Sequence, residues 1–191
     1  FIREVYDAFY PGHGDSWPTF PGAIGMTYEM PSARGLRFQR EDGKVLTYRE
    51  GVIKHFTSAI TTAVTAAKNR QSMLRDFLAY RQSAIRLADS GPKEYVIDAG
   101  TDPARAMHLA RRLAAQGIEV RRAEEAITVG TRKVPAGSLI VPLAQPAGRL
   151  VRNLLDASIV MDEAFLKEQD RRRARGMGDQ IYDVTAWNHA M

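Results

Sequence analysis

The sequence predicts an α/β protein, in which a mixed sheet with packed helices is followed by a smaller α/β module built on a parallel β-α-β unit. Short apolar runs bounded by Gly and Pro alternate with longer stretches in which apolar residues recur every three or four positions. A Ser-Gly-Pro stop signal at residues 90–92 then separates a predicted domain, 1–90, from a predicted module, 93–191. With 191 residues, 45% of them hydrophobic, the chain can form one ordinary domain or two small ones.

The first domain is predicted to contain a helix end, a loop and then strands. Residues Ile2–Phe9 suit the last turns of a helix, and the Pro and Gly residues of segment 11–22 exclude regular structure there. The apolar run Ala23–Glu29 predicts a buried strand with Glu29 at its C-terminal edge. The segment Glu41–Gly43 lies between two short alternating runs and predicts a β-hairpin.

Two helices are predicted after the hairpin. Thr47–Glu50 fits a capping box, in which the Thr hydroxyl and the Glu carboxylate bind backbone N–H groups at a helix start. The first helix is expected to break at Asn69, and a second to run from about Gln71 to Ala88. The apolar face of the first helix is predicted to pack on the sheet containing Ala23–Glu29. The residues of this face are Val52, Phe56, Ala59, Ala63 and Ala67.

The second module is predicted to start with a parallel β-α-β unit. Asp102 and Pro103 supply an N-cap and a first helical residue, and the helix is expected to end at Gly117. Strands are predicted on both sides of this helix, at Tyr95–Ile97 and Ile118–Val120. The short connections favour a parallel pair with a right-handed crossover.

The rest of the module is predicted to be less regular. Short strands are expected at Ile127–Val129 and Ser138–Val141, and a helix at Gln145–Leu155. After Asp156 the sequence becomes charged and rich in Arg, and residues 181–187 are suited to docking as a terminal strand.

Composition excludes several classes of function. The absence of Cys excludes disulfides, thiolate metal sites and a cysteine nucleophile. The net charge is +5, and the densest basic run, 171–175, is typical of a solvated helix end. Because basic residues elsewhere are mixed with acids and not interleaved with stacking aromatics, no nucleic-acid partner is predicted. No stretch approaches the roughly 18–20 consecutive apolar residues of a bilayer span, so no membrane span is predicted.

Three residues of the first domain are candidates for chemistry. Glu29 follows an apolar strand in the prediction, where low dielectric raises a carboxyl pKa toward that of a general base; the alternative is an edge glutamate in a salt bridge. Tyr10 and His13 lie on a loop of restricted path, and such loops often carry function. The alternatives are an ordinary half-buried tyrosine and a loop histidine that contacts no substrate.

Other polar residues support no site. The four histidines are scattered without metal-ligand spacing, so a zinc site wholly within the chain is not predicted. Ser16 and Ser138 lack the G-x-S-x-G context of a hydrolase nucleophile. The turn Asp98–Asp102 precedes a helix, but its two aspartates argue against phosphate binding and favour a structural role.

The order of three segments, YPG at Tyr10–Gly12, GDSWP at Gly14–Pro18 and GMTYE at Gly25–Glu29, resembles the C-terminal third of the catalytic domain of zinc carboxypeptidases of the carboxypeptidase A type. The resemblance implies that Tyr10 closes over the C-terminal carboxylate of a peptide substrate. It implies that Glu29 activates the zinc-bound water and carries its proton to the leaving amine. Asp15 falls near the specificity position of that family, where an acid favours a basic C-terminal side chain.

The zinc ligands of that family, a His-x-x-Glu pair and a later His, precede the tyrosine, and no such motif lies between Phe1 and Tyr10. We therefore expect zinc to be held by an N-terminal part of the catalytic domain upstream of Phe1, and the chain alone to bind no zinc and to be inactive. Residues 93–155 resemble the class I glutamine-amidotransferase-like domain of some large bacterial members of the family. Because the chain has no cysteine, this module is expected to have a structural or binding role.

The expected function is thus hydrolysis of C-terminal peptide bonds by a parent protein to which this chain contributes the general base and the substrate clamp. The resemblance also implies secretion or a periplasmic location. The alternative is a non-enzymatic ligand-binding or scaffold module, in which Glu29 and Tyr10 are relics and residues 93–155 carry the function.

Overall fold

The computed structural model describes residues 12–30, 32–157 and 161–177. Within these residues the protein is mixed α/β, with five α-helices and three small antiparallel sheets. The chain forms two compact units. Ile24–Ala79 is the central unit, and the described residues on either side of it are the flanking unit. The change from one unit to the other therefore precedes the stop signal at 90–92.

The regular structure of the central unit begins with the predicted hairpin. Strand β1 (Arg37–Gln39) pairs antiparallel with β2 (Val45–Thr47). The turn closes through Gly43, whose φ of 80° suits a residue without a side chain. The carboxylate of Asp42 accepts the backbone N–H of Lys44 at 3.1 Å. The hairpin prediction is confirmed.

Helix α1 (Tyr48–Lys68) starts at the predicted capping box. The Thr47 hydroxyl accepts the backbone N–H of Glu50 at 3.2 Å, and the Glu50 carboxylate accepts that of Thr47 at 2.8 Å. The bond from the Thr47 backbone N–H lowers the pKa of Glu50, and the Thr47 hydroxyl, 2.9 Å from the same carboxylate, acts in the same direction. Asn69 ends the helix as predicted, and α2 (Arg70–Ile85) follows, with its residues from Tyr80 in the flanking unit.

The predicted strand Ala23–Glu29 is wrong, because residues 23–30 form neither helix nor strand. Among the described residues no strand pairs with this segment, and without a partner its backbone groups cannot form a ladder. Its apolar side chains are accordingly exposed, Ile24 by 65% and Met26 by 53%.

The predicted packing of α1 on that strand is wrong for the same reason. Within the described residues α1 buries none of its side chains, and Phe56 is 66% exposed. The segment Thr57–Ala67 carries no charged residue on any side. A helix this poor in charge is usually covered by other protein.

The flanking unit contains most of the regular structure. Its elements are β3 (Glu94–Ile97), α3 (Pro103–Ala115), β4 (Arg121–Arg122), β5 (Ile127–Val129), β6 (Arg132–Val134), β7 (Leu139–Pro142), α4 (Gly148–Leu155) and α5 (Glu163–Ala174).

The predicted parallel β-α-β unit is wrong in its pairing. The three-stranded sheet has the order β3-β7-β4, and β7 is antiparallel to both neighbours. Strands β3 and β4 thus run in the same direction without touching. Strand β7 takes the centre because it is the most apolar and most buried of the three. The segment Ile118–Val120 lies just before β4, and Ile118 packs into the core.

One hydrophobic core supports this sheet. Helices α3 and α4 contribute their buried faces to it, and the loop residues Trp17 and Phe20 pack against it. Its largest buried members include Leu113, Ile118, Leu139, Val141, Leu143, Leu150, Val151 and Leu155.

Two elements, one strand and one helix, were not predicted. Strand β6 pairs with β5 in a hairpin of its own, whereas the second strand expected there, Ser138–Val141, corresponds to β7 of the larger sheet. Helix α5 occupies the charged region after Asp156, and its N-cap Asp162 accepts the backbone N–H groups of Ala164 and Phe165 at 2.9 and 3.1 Å. Residues 181–187, a predicted terminal strand, lie outside the described residues, as does the predicted helix end Ile2–Phe9.

Candidate functional site

The loop that carries His13 and Asp15 is closed by its own backbone. The His13 carbonyl accepts the N–H groups of Ser16 and Trp17 at 3.1 and 2.9 Å, and a short 3-10 helix follows at Trp17–Thr19. His13 and Asp15 are both half-buried in this loop. Tyr10, the predicted substrate clamp, lies outside the described residues.

The same loop is bound to the end of α2. The Tyr80 hydroxyl donates to the carbonyls of Thr19 and Phe20 at 3.0 and 3.3 Å. The Arg149 guanidinium lies 4.2 Å from the centre of the Tyr80 ring and donates to the Tyr80 carbonyl at 2.9 Å. A cation over an aromatic ring is attracted to its face. The loop is therefore held by contacts to residues after Ala79, within the flanking unit.

Glu29 is exposed and lies in the irregular segment of the central unit. Its neighbour Tyr28 is hydrogen-bonded through its hydroxyl to the Thr62 hydroxyl on α1, and Thr62 in turn donates to the Ser58 carbonyl at 2.8 Å. This contact fixes the backbone next to Glu29. The low-dielectric strand edge expected for Glu29 is absent, since its side chain is open to solvent.

His13 and Asp15 therefore share one loop of the flanking unit, whereas Glu29 belongs to the central unit. Within residues 12–30, 32–157 and 161–177, no three His, Asp or Glu side chains come together as a metal site. In the same residues, no helix combines the length and the hydropathy that crossing a bilayer requires.

The turn Asp98–Asp102 has the structural role that its aspartates predicted. The Asp98 carboxylate accepts the Gly100 N–H at 2.8 Å and pairs with Arg132 at 3.3 Å. The Asp102 carboxylate accepts the Arg105 N–H at 2.9 Å and so caps α3. Both acids are engaged in holding the turn.

A cleft of about 750 Å³ lies beside α3 in the flanking unit and was not predicted. It is apolar at its base and basic at its rim. Its lining residues are Trp17, Arg105, His108, Leu109, Arg112, Leu113, Ala115, Gln116, Leu154 and Leu155. The spacing of Arg105, Leu109 and Arg112 in the sequence predicts that they share one face of α3. The contributions of Trp17 and of the end of α4 are not, because they come from distant segments.

A second polar cluster joins β3 to the end of α4. The Tyr95 hydroxyl donates to the Asp156 carboxylate, which also pairs with Arg152 at 3.0 Å. Burial raises the pKa of Tyr95 to about 12, and the bond to Asp156 acts in the same direction. The carboxylate likewise raises the pKa of Arg152.

Comparisons of the chain with protein families, with curated proteins and with solved structures returned no match.

Proposed function

We propose that the chain contributes substrate-side residues to a zinc carboxypeptidase-like active site that is completed by other residues of a longer parent protein. The observation that carries the proposal is the order of the segments Tyr10–Gly12, Gly14–Pro18 and Gly25–Glu29. In this proposal the Glu29 carboxylate takes a proton from the water that attacks the peptide carbonyl and delivers it to the leaving amine. Tyr10 closes over the substrate carboxylate, Asp15 contacts the C-terminal side chain, and His13 contacts the substrate from the same loop.

Two features of the central unit support this role. Glu29 is open to solvent and its neighbour Tyr28 is fixed to Thr62, so the carboxylate is accessible on an anchored backbone. The apolar surface of α1 is uncovered within the described residues. A helix with this surface suits the interior of a larger catalytic domain, whose other parts are expected to supply the zinc ligands.

The test uses the parent protein, expressed with the sequence that precedes Phe1. We expect it to contain zinc and to release the last residue of blocked dipeptides. Glu29→Gln should lower kcat at least about 100-fold, because general acid-base catalysis contributes roughly that factor or more. Glu41→Gln is the matched control, since Glu41 is also exposed in the central unit but lies in the hairpin turn. Full activity of Glu29→Gln would refute the assigned role.

The substrate preference has a separate test. Asp15→Asn should reduce turnover of substrates ending in Lys or Arg and leave those ending in Phe unchanged, because only the former lose a charge pair. Equal losses for both kinds of substrate would show that Asp15 does not select the side chain.

A second candidate function, a non-enzymatic binding module, is favoured by the cleft beside α3. It would replace the first proposal if the parent protein proved free of metal and inert toward peptides.

A further inference from the structure

We propose that the cleft beside α3 binds a small organic monocarboxylate with an alkyl or aryl body. The volume of the cleft, about 750 Å³, lies within the range of small-molecule sites, roughly 300–1,000 Å³. All its lining residues belong to the flanking unit. None of the residues given a role in the peptidase function lines the cleft.

The base of the cleft provides a place for an apolar body. Leu113 and Leu155 are 3% and 2% exposed and belong to the hydrophobic core. Leu109 and Leu154, both half-buried, and the indole of Trp17 form the sides. Each methylene that a ligand buries against such a surface strengthens binding by about fourfold.

The rim provides positive charge. Arg105 and Arg112 lie seven residues apart on α3, so they share one face and are separated by about 10 Å along the helix. Among the residues that the structure describes, no Asp or Glu lines the cleft. The Arg112 Nε–H donates to His108 Nε2 at 3.2 Å, and within the described chain the terminal nitrogens of its guanidinium have no partner.

Two donors at the cleft have no acceptor within the described chain. In residues 12–30, 32–157 and 161–177, the Arg105 guanidinium forms no ion pair or hydrogen bond and the Trp17 indole N–H donates to no acceptor. A carboxylate accepts from a guanidinium through two oxygens and from an indole N–H through one. A leucine base is unsuited to a polyanion, so the ligand class is an anion with a single charged end.

The test measures contact of a ligand with Trp17. Trp187→Phe leaves Trp17 as the only tryptophan. The probe is ω-bromoundecanoate, whose bromine quenches indole fluorescence on contact, used below its micelle concentration. Its uncharged counterpart, ω-bromoundecanol, serves as the ligand control. We expect saturable quenching by the carboxylate and at least tenfold weaker binding of the alcohol.

Charge substitutions on α3 then locate the site. The double variant Arg105→Gln, Arg112→Gln should weaken carboxylate binding by about tenfold or more, since loss of one charge-assisted contact amounts to that factor. Arg111→Gln is the matched control, because Arg111 is an exposed arginine of the same helix that does not line the cleft. Arg111→Gln should bind the carboxylate as tightly as the protein with Arg111 does.

Three results would overturn the proposal: no saturable quenching by the carboxylate, equal binding of carboxylate and alcohol, or the same loss in Arg111→Gln as in the double variant. The last would mean that net charge, and not the cleft, attracts the probe. Intact far-ultraviolet circular dichroism in every variant is the check that each has folded.

Discussion

Gly148, the first residue of α4, has no room for a side chain. A Cβ at this position would lie 2.7 Å from the Leu143 carbonyl oxygen and 2.9 Å from the Ala84 carbonyl oxygen. Both are backbone atoms, so neither can turn aside as the end of a flexible side chain would. Gly148→Ala must therefore push α4 away from the end of α2.

The expected cost follows from two opposing effects. Forcing an extra methyl group into a packed region costs about 1–3 kcal/mol, and contacts with backbone belong at the upper end. Replacing Gly by Ala in a helix recovers up to about 1 kcal/mol. The net loss is about 2 kcal/mol, which corresponds to a fall in Tm of roughly 4–8 °C for a chain of this size.

The assay is thermal and urea denaturation followed by circular dichroism. Gly51→Ala is the control, because Gly51 lies within α1 and a Cβ there meets nothing within 4 Å. This control should be neutral or stabilising by up to about 1 kcal/mol. If Gly148→Ala were as stable as the unsubstituted protein, the close approach of α4 to α2 would be refuted.

Two further predictions concern hydrogen-bonded polar side chains of the flanking unit. Gln145→Leu removes hydrogen bonds to both backbone groups of Glu119 and to the Pro142 carbonyl, so we expect a loss of about 2–3 kcal/mol in urea denaturation, and an unchanged midpoint would contradict it. Tyr95 has its folded pKa raised to about 12, so the stability it contributes is present below about pH 10 and is lost as pH rises toward 12. Tyrosinate absorbance should show one tyrosine that titrates late, and this signal should be missing in Tyr95→Phe. At neutral pH Tyr95 keeps its bond to Asp156. An unchanged titration curve in Tyr95→Phe would contradict this assignment.

Local signals predicted local structure well. The hairpin turn and the capping box depend on side chains within four residues of the backbone groups they bind, as Asp42 and Thr47 illustrate. The same holds for Asp102, which caps α3 through the N–H of a residue three positions away. Such contacts form whatever the rest of the chain does.

Pairing between distant strands was not predictable in this way. The chain order of β3, α3 and β4 suggested a parallel pair, but β7 enters between the two strands from a later part of the sequence. The run Ala23–Glu29 has the composition of a strand and still forms none in the described chain. An apolar run becomes a strand only where another strand supplies hydrogen bonds. The composition of a run indicates its tendency to form a strand but does not show whether another strand is there to pair with it.

The candidate site was predictable only in part. His13 and Asp15 were expected on a shaped loop, and they lie on one. The burial expected for Glu29 depended on the strand and failed with it. The cleft beside α3 was missed because its tryptophan lies far in sequence from the helix whose arginines form its rim.

The loop of His13 and Asp15 links the two proposals, because it supplies Trp17 to the cleft and contains the segment Gly14–Pro18 of the peptidase resemblance. The loop is held by Tyr80, and Tyr80 by Arg149 of α4. A change at Arg149 should therefore disturb both functions, whereas Glu29→Gln should affect hydrolysis alone and the α3 arginine variants carboxylate binding alone. Arg149→Leu, which removes the bond to the Tyr80 carbonyl and the cation above its ring, is expected to weaken quenching of Trp17 although it does not line the cleft. Unaltered quenching in Arg149→Leu would mean that the loop keeps its position without this support.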